Sequence, residues 1–244
     1  MTGVQTCALP IFAAIATGVI AGLSSTQVNA LTTDQVAALT TAQAAALTTT
    51  QTVGLSSTQV GALETADLQK VTTSAFATIT TDAIVGLSSE QVNALTTAQV
   101  VALTTSQSTV LTSTQSVGIN TTQAPTLETG DLSAMTTSSF AALTEATVAA
   151  LTSTQVSSLT TDEVKALTTA QAGALLAQQL QGITTSQTAA IESTDLAKVT
   201  TSALVAMAPG VMATLNSTQF GALTTDQVKA LTTAQANALT STQT

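Results

Sequence analysis

The sequence contains no histidine, arginine, tryptophan or tyrosine, and it has one cysteine and four phenylalanines. Thirteen acidic residues against four lysines give a formal net charge of −9. Nucleic-acid binding needs a basic surface and aromatic side chains that stack on bases, so we exclude it as a function. The missing histidines and the single cysteine also remove the usual zinc ligands, haem ligands and Cys–His catalytic pairs. We therefore predict no enzyme and no cofactor.

An eight-residue repeat fills most of the chain and is seen most clearly from Leu31 to Ala38. We number its positions one to eight from the leucine and call each copy an octad. Position one is Leu or another aliphatic residue or Met, and none is polar from Leu23 to Leu239. Position two is mostly Thr or Ser, position five mostly Gln, position six usually apolar, and position eight usually Ala or Gly. The repeat thus carries a fixed order of polar and apolar residues.

The first half of each octad has the pattern of a helix start. Thr32 followed three residues later by Gln35 is typical of a capping box, in which the two residues satisfy each other's backbone N–H groups. Leu31 and Val36 then hold the two positions of a hydrophobic staple. Pro209 holds the first helical position of its octad, where its missing N–H costs little. The pattern predicts a new helix every eight residues.

The second half of each octad has candidate helix stops. Gly or Asn at position seven or eight is typical of a left-handed C-terminal cap, so we expect such caps at several octads. Pro125, at position seven, indicates a helix that has already ended. The residues with this pattern are Gly22, Asn29, Gly54, Gly61, Gly86, Asn93, Gly118, Gly173, Gly182, Gly221 and Asn237.

These signals predict an all-α solenoid of very short capped helices, one per octad. A β-solenoid is the alternative, because Thr and Val favour strands. Against it, positions one and six would point to opposite faces of a straight strand. We expect residues 12–244 to form a single solenoid in 64-residue blocks, since the Glu64–Asp67 motif returns at Glu128 and Glu192. Several glycines recur at multiples of 32 residues, which suggests four octads per turn.

Residues 1–11 resemble the translation of a common short-read sequencing adapter and are expected to be non-native. The self-similarity of the chain supports this, because the match to residues 76–97 begins at Phe12. The apolar run from Ala8 to Leu23 looks like a signal peptide but lacks a basic region, so we interpret it as an artefact of the junction. Cys7, the only cysteine, falls in the same segment. We expect an assembled metagenomic fragment of a longer chain with neighbouring domains.

One acidic motif recurs and is a candidate metal site. Each copy places a Glu at the helix cap and an Asp three residues later, an arrangement that could hold calcium through clustered oxygen ligands. Helix capping with a local ion pair to Lys70 or Lys198 explains the same residues without a metal, and we favour it because calcium takes six or more oxygen ligands. The weak calcium candidates are Glu64, Asp67, Glu128, Asp131, Glu192 and Asp195.

The run from Leu31 to Ala44 resembles the octapeptide tracts of large repetitive bacterial proteins of the heme-utilisation or adhesion type. That resemblance implies a secreted or surface-exposed bacterial protein in which the repeat is a stalk or spacer. We find no haem ligand, and we interpret Met207 and Met212 as core residues. The predicted function is thus a non-enzymatic structural repeat, located outside the cell or at its surface. The alternative is a binding or self-assembly module that uses one Thr-rich face for ice, glycan or like chains; we expect no nucleic acid and no membrane span.

Overall fold

The computed structural model describes residues 9–243, and within them every regular element is a helix. The prediction of an all-α solenoid is therefore confirmed, and the strand alternative is discarded for this part of the chain. The chain divides into two compact units, residues 1–119 and 120–244. The non-native assignment of residues 1–11 and Cys7 falls largely outside the described residues. That assignment and the prediction of one solenoid over residues 12–244 stay predictions.

The first unit is a series of four- to six-residue α-helices, one in each octad. Residues 9–13 are also helical. The further helices are Thr17–Ala21, Ser25–Asn29, Thr33–Ala37, Thr41–Ala45, Thr49–Thr52, Ser57–Ala62, Thr65–Leu68, Thr73–Ala77, Thr81–Ile84, Ser89–Ala94, Thr97–Val101, Thr105–Val110 and Ser113–Ser116.

The second unit has the same organisation after a short 3-10 helix, Ala124–Thr126, which includes Pro125. The sequence predicted that Pro125 follows a finished helix, and this prediction is wrong. Pro125 lies within the 3-10 helix, and its missing backbone N–H is compatible with this short helical geometry. The α-helices are Thr129–Leu132, Thr137–Ala141, Glu145–Ala150, Ser153–Ser158, Thr161–Ala166, Thr169–Ala174, Ala177–Leu180, Thr185–Ala190, Ser193–Leu196, Thr201–Leu204, Pro209–Met212, Ser217–Gly221, Thr225–Lys229 and Thr233–Ala238.

Two extended residues separate each helix from the next. In the octad that begins at Leu95, that leucine has φ −55° and ψ 138°, and the N-cap Thr96 has φ −68° and ψ 154°. Helical geometry resumes at Thr97 and continues through Ala102, which has φ −84° and ψ −4°. The helix therefore ends because the next leucine and threonine leave the helical region, and the threonine then caps the following helix.

The predicted left-handed caps are wrong, because no residue from 9 to 243 has a positive φ, glycines included. Several of the Gly and Asn residues of positions seven and eight serve contacts between turns instead. The Asn29 side chain donates from Nδ2 to the carbonyl of Gly54 at 2.8 Å, and Asn93 donates to Gly118 at 3.1 Å. A Cβ on Gly54 would lie 2.6 Å from the carbonyl oxygen of Ser25. Glycine is needed there for close backbone approach.

Within each unit the octads wind into turns of about 28 residues, or about three and a half octads. Helices pack against helices three octads away, as Thr33–Ala37 does against Ser57–Ala62. Side-chain bonds between turns join residues 25 to 31 positions apart, such as Asn29 with Gly54 and Gln59 with Val28. Four octads per turn, as the glycine spacing suggested, is therefore an overestimate, because octads of successive turns are staggered.

The core of each turn is built from positions one and six. Leu95 and Val100 are 6% and 3% exposed, and Phe76, at position six, is fully buried. Met207 and Met212 are buried as well, as predicted for core residues. Each fully buried aliphatic side chain contributes roughly 1.5–3 kcal/mol relative to an exposed one, so the repeated pair at positions one and six supplies most of the apolar stabilisation. Among the described residues, no helix is both long and apolar enough to span a bilayer.

Candidate functional site

The most extensive polar feature of the described chain is a row of buried glutamines at position five. We call the following residues the glutamine spine, because each is at most 7% exposed and bonds across a turn: Gln43, Gln51, Gln59, Gln91, Gln99, Gln107, Gln115, Gln155, Gln171, Gln179, Gln187, Gln219, Gln227, Gln235 and Gln243. A buried amide is costly unless its donors and acceptor are both satisfied, so their partners decide what the row does.

The carbonyl end of each spine amide caps its own helix. Gln59 Oε1 accepts from the backbone N–H of Ser56 at 2.9 Å, and the Ser56 hydroxyl accepts from the N–H of Gln59 at 3.3 Å. These two bonds are the predicted capping box, and the same pair of bonds joins Thr96 to Gln99 and Thr168 to Gln171. The sequence therefore predicted this half of the amide correctly.

The nitrogen end of each spine amide reaches the previous turn. Gln59 Nε2 donates to the carbonyl oxygens of Val28 at 2.9 Å and Leu31 at 2.8 Å. These carbonyls lie 31 and 28 residues earlier, where one helix ends and the next leucine begins. The bond to the carbonyl 28 residues earlier recurs throughout the spine at 2.6–3.0 Å.

One side chain thus performs two structural tasks in each spine octad. It completes the cap of its own helix and donates to the carbonyl of an extended position-one residue such as Leu31. It also adds a second bond to a helix-end carbonyl such as that of Val28, which already accepts from the Leu31 N–H at 3.1 Å. A spine amide has both ends bonded, so it offers no group to a ligand. The hydrogen bonds of the glutamine spine join each turn to the next, as the hydrogen bonds between strands join a β-sheet.

Sequence reasoning missed the second task, although the composition carried a signal for it. A capping box accepts either Glu or Gln at its third helical position. Position five is Gln in most octads and Glu only at Glu163. Only the amide supplies a donor, so the excess of Gln over Glu indicates that a donor is needed.

Some octads lack the amide. Ala75 and Ala83 place a buried methyl group at position five, and Asp67 places a buried carboxylate there. One Asp67 oxygen, Oδ2, is buried without a hydrogen-bond partner. Burial, and then the negative charge of Glu64, raise the pKa of Asp67 above its ordinary value. These octads lack the hydrogen bond from a position-five amide to the previous turn. At Asp67 a titratable carboxyl group takes the place of the amide.

The calcium candidates are divided between surface and interior. Glu64, Glu128 and Glu192 hold N-cap positions as predicted, but their side chains are exposed and make no cap hydrogen bond. Asp67, Asp131 and Asp195 are buried at position five. Among the described residues, no group of three metal-ligating side chains comes together. Calcium binding, which the sequence analysis disfavoured, stays an untested alternative that calorimetric titration with calcium would test.

The lysines of the same motif do not act as the sequence suggested. Lys70 and Lys198 are exposed, whereas Asp67 and Asp195 are buried. In the described part of the chain, neither lysine forms an ion pair with the aspartate three residues before it. Each Glu therefore lies at the N-cap position, but the structure shows neither a side-chain cap bond from it nor the local ion pair.

Comparison with known families matches the octads themselves. The family model described as ALTTAQ repeat matches residues 12–41, 60–97, 125–161 and 212–244, which together make up more than half of the chain. The chain belongs to the ALTTAQ repeat family. The six letters of that description are positions eight and one to five of an octad, as in Ala94 to Gln99, so the ALTTAQ motif ends on the spine glutamine. No curated protein matches the chain.

Proposed function

We propose that this chain is a non-enzymatic stalk or spacer segment of a bacterial surface protein of the adhesin type. The observation that carries the proposal is the glutamine spine. In the ALTTAQ octads both ends of the buried amide are hydrogen-bonded to backbone, the oxygen to its own helix start and the nitrogen to the previous turn. The repeated polar side chain therefore has a structural role. A spacer requires a chain whose length can change without a new hydrophobic core. In a solenoid each added octad packs on the turn before it and so lengthens the chain in this way.

The surface supports the same proposal. Positions two to four of the octads, such as Thr72, Thr73 and Ser74, are exposed, and most of these residues are uncharged. A hydroxyl-rich surface with a net negative charge favours solubility and disfavours binding to anionic polymers. A location outside the cell or at its surface belongs to this proposal.

Exchange of the segment in the full-length protein tests the spacer function. The segment would be replaced by an unrelated solenoid of the same length, and surface display and adhesion of the whole protein would be measured against a deletion of the segment. A spacer predicts that the deletion lowers adhesion and that the unrelated solenoid restores it. Failure of a well-displayed replacement to restore adhesion would show that the ALTTAQ surface itself binds something.

The exposed hydroxyls favour a second candidate, a binding or self-assembly module for ice, glycan or like chains. Thr49, Thr73 and Thr97 are exposed at position three of helices that pack on one another. The stagger of about half an octad between turns makes a flat, regular array for ice difficult to build. Ice recrystallisation, glycan binding and sedimentation would be compared between the natural chain and a variant with lysine at these three positions. Activity lost in a folded variant supports this candidate, and no activity in either protein discards it.

A further inference from the structure

Glu163 occupies a place in the second unit that a spine glutamine would otherwise hold. It is position five of its octad and is 1% exposed. Its Oε2 accepts from the backbone N–H of Thr160 at 2.7 Å and from the Thr160 hydroxyl at 2.9 Å. The N–H of Glu163 donates to the same hydroxyl at 3.2 Å. This oxygen therefore completes the capping box, as the carbonyl oxygen of a spine amide does.

The other carboxyl oxygen of Glu163 takes the place of the spine donor. In the octads before and after, Gln155 Nε2 donates to the carbonyl of Leu127 at 2.7 Å and Gln171 Nε2 donates to that of Leu143 at 2.6 Å. The same spacings of 31 and 28 residues place Glu163 Oε1 against the carbonyls of Leu132 and Met135. Oε1 is buried and makes no hydrogen bond to a donor among the described residues.

An ionised Glu163 would therefore place Oε1, a hydrogen-bond acceptor, against the carbonyl oxygens of Leu132 and Met135, which are acceptors as well. A buried carboxylate loses its hydration, and carbonyl oxygens cannot replace the lost donors. A carboxylic acid group differs, because the proton on one oxygen makes it a donor while the other oxygen stays an acceptor. A protonated glutamate has nearly the shape of glutamine, with one acceptor oxygen and one O–H, so it can replace one of the two hydrogen bonds that a spine Nε2 donates.

The charges around Glu163 give an ionised form no compensation. The helices packed against Thr161–Ala166 are Thr137–Ala141 and Thr185–Ala190, and neither contains a titratable residue. On its own helix Asp162 and Lys165 are exposed, and the lysine forms no ion pair with Glu163 in the described residues. The buried Asp131 directly precedes Leu132, and the buried Asp195 lies four octads after Glu163. Both are acidic and supply no positive charge.

We propose that Glu163 carries a proton in the folded protein and donates one hydrogen bond from Oε1 to the carbonyl of Met135, the position that every spine amide reaches. The side chain is then a proton-dependent member of the glutamine spine. Burial raises the pKa of Glu163, and the charge of Asp162 adds to that rise, whereas the hydrogen bonds from Thr160 lower it. The direction of the pKa agrees with the geometry.

The consequence is a bond between turns that weakens as the pH rises. A carboxyl group whose pKa is higher in the folded than in the unfolded chain binds more protons when folded. Its contribution to stability is fully present below the unfolded pKa and is lost as the pH rises through the folded pKa. The contribution of Glu163 to the stability of the second unit is therefore expected to be largest in acid, and raising the pH weakens the link between Glu163 and the previous turn.

Infrared spectroscopy and unfolding of the full chain test the proposal. At a pH just above the ordinary glutamate pKa of about 4.3, we expect a carbonyl band of a neutral carboxylic acid that shifts in heavy water. A component of this band should be lost in Glu163→Gln and should remain in the matched control Glu145→Gln, whose glutamate is exposed. Thermal unfolding of Glu163→Gln should show a higher midpoint than the natural chain at neutral pH and the same midpoint in acid. Glu145→Gln should keep the pH profile of the natural chain.

The reverse substitution keeps the test valid if Glu163→Gln fails to fold. Gln171→Glu creates the same arrangement one octad later and should lower the unfolding midpoint at neutral pH, with recovery in acid. The proposal is overturned by an absent acid band, by equal pH profiles for the natural chain and Glu163→Gln, or by recovery on addition of sodium or calcium at constant pH. The last outcome would place a cation between Glu163 and the carbonyls instead of a proton.

Discussion

At the scale of single residues, the position-five side chain decides how well an octad is joined to its neighbours. Gln91 shows the full set of bonds: Oε1 accepts from the Ser88 N–H at 2.8 Å, and Nε2 donates to Val60 at 3.0 Å and Leu63 at 2.7 Å. A single side chain therefore serves three backbone groups, two of which belong to another turn. Its loss should cost more than the loss of an ordinary cap.

Gln91→Ala is expected to destabilise the first unit strongly. A buried backbone group left without a partner costs about 1–3 kcal/mol, and this change removes the partner of two such groups, the Ser88 N–H and the Leu63 carbonyl, so we expect a loss of at least about 2 kcal/mol. The matched control is Gln27→Ala, because Gln27 is exposed and caps Ser24 without a bond to another turn among the described residues. The control should lose about 0.5–1.5 kcal/mol. Urea unfolding followed by circular dichroism measures both, and equal losses would mean that the amide donor contributes nothing.

We expect the stability of the same unit to depend on pH through Asp67. Because burial and Glu64 raise the pKa of Asp67, its contribution to stability is present in acid and lost as the pH rises through the folded pKa. Asp67→Asn should therefore raise the unfolding midpoint at neutral pH and leave it unchanged in acid. Asp82→Asn, at an exposed aspartate of the same unit, is the control and should not change the pH profile. A stabilisation by Asp67→Asn that is independent of pH would contradict this explanation.

At the scale of the helix, the sequence predicted the start of each element far better than its end. A capping box is local, so Thr96 and Gln99 could be assigned from their spacing alone, and the structure confirms them. The end of the helix is set by the next octad's extended leucine and by contacts with another turn. Gly86 and Asn93 therefore look like left-handed caps in the sequence but serve contacts 25 to 29 residues away.

Gly86→Ala is expected to destabilise the first unit. A methyl group on Gly86 would collide with the backbone carbonyl of Ser57, which cannot rotate away as a flexible side chain can. Overpacking of this kind costs about 1–3 kcal/mol. Gly18→Ala is the control, since nothing lies near the added methyl group and alanine favours the helix Thr17–Ala21 by about 0.5–1 kcal/mol. The thermal unfolding midpoint should fall in Gly86→Ala and rise in Gly18→Ala. An unchanged midpoint in Gly86→Ala would show that the turns need no close backbone approach there.

At the scale of the whole molecule, stability comes from near-identical turns rather than from one central core. The spine bonds act over 28 to 31 residues, and no pattern of eight residues contains that distance. For this reason the sequence predicted the helices and the buried positions one and six, but not the pitch of each unit. The pitch follows from staggered packing, which only the assembled turns define.

Deletion of whole and half octads tests this organisation. Removal of residues 95–102 takes out one octad and lets Gln107 bond to carbonyls in equivalent positions of another octad. Removal of residues 95–98 takes out the first half of one octad, including the N-cap Thr96, and misplaces every later side chain of the first unit. We expect the eight-residue deletion to stay helical with a small drop in midpoint, and the four-residue deletion to lose helical signal. Equal damage by both would contradict a repeat-based solenoid.

The central claim is that buried position-five amides bond across turns, and hydrogen exchange of glutamine side chains tests it most directly. In a ¹⁵N NMR exchange experiment, the Nε2 protons of Gln59 and the other spine residues should exchange slowly and show contacts to protons of the residues 28 to 31 positions earlier. Those of the exposed Gln27 should exchange at the rate of a free amide. Free exchange rates for the spine amides in the folded chain would contradict the account.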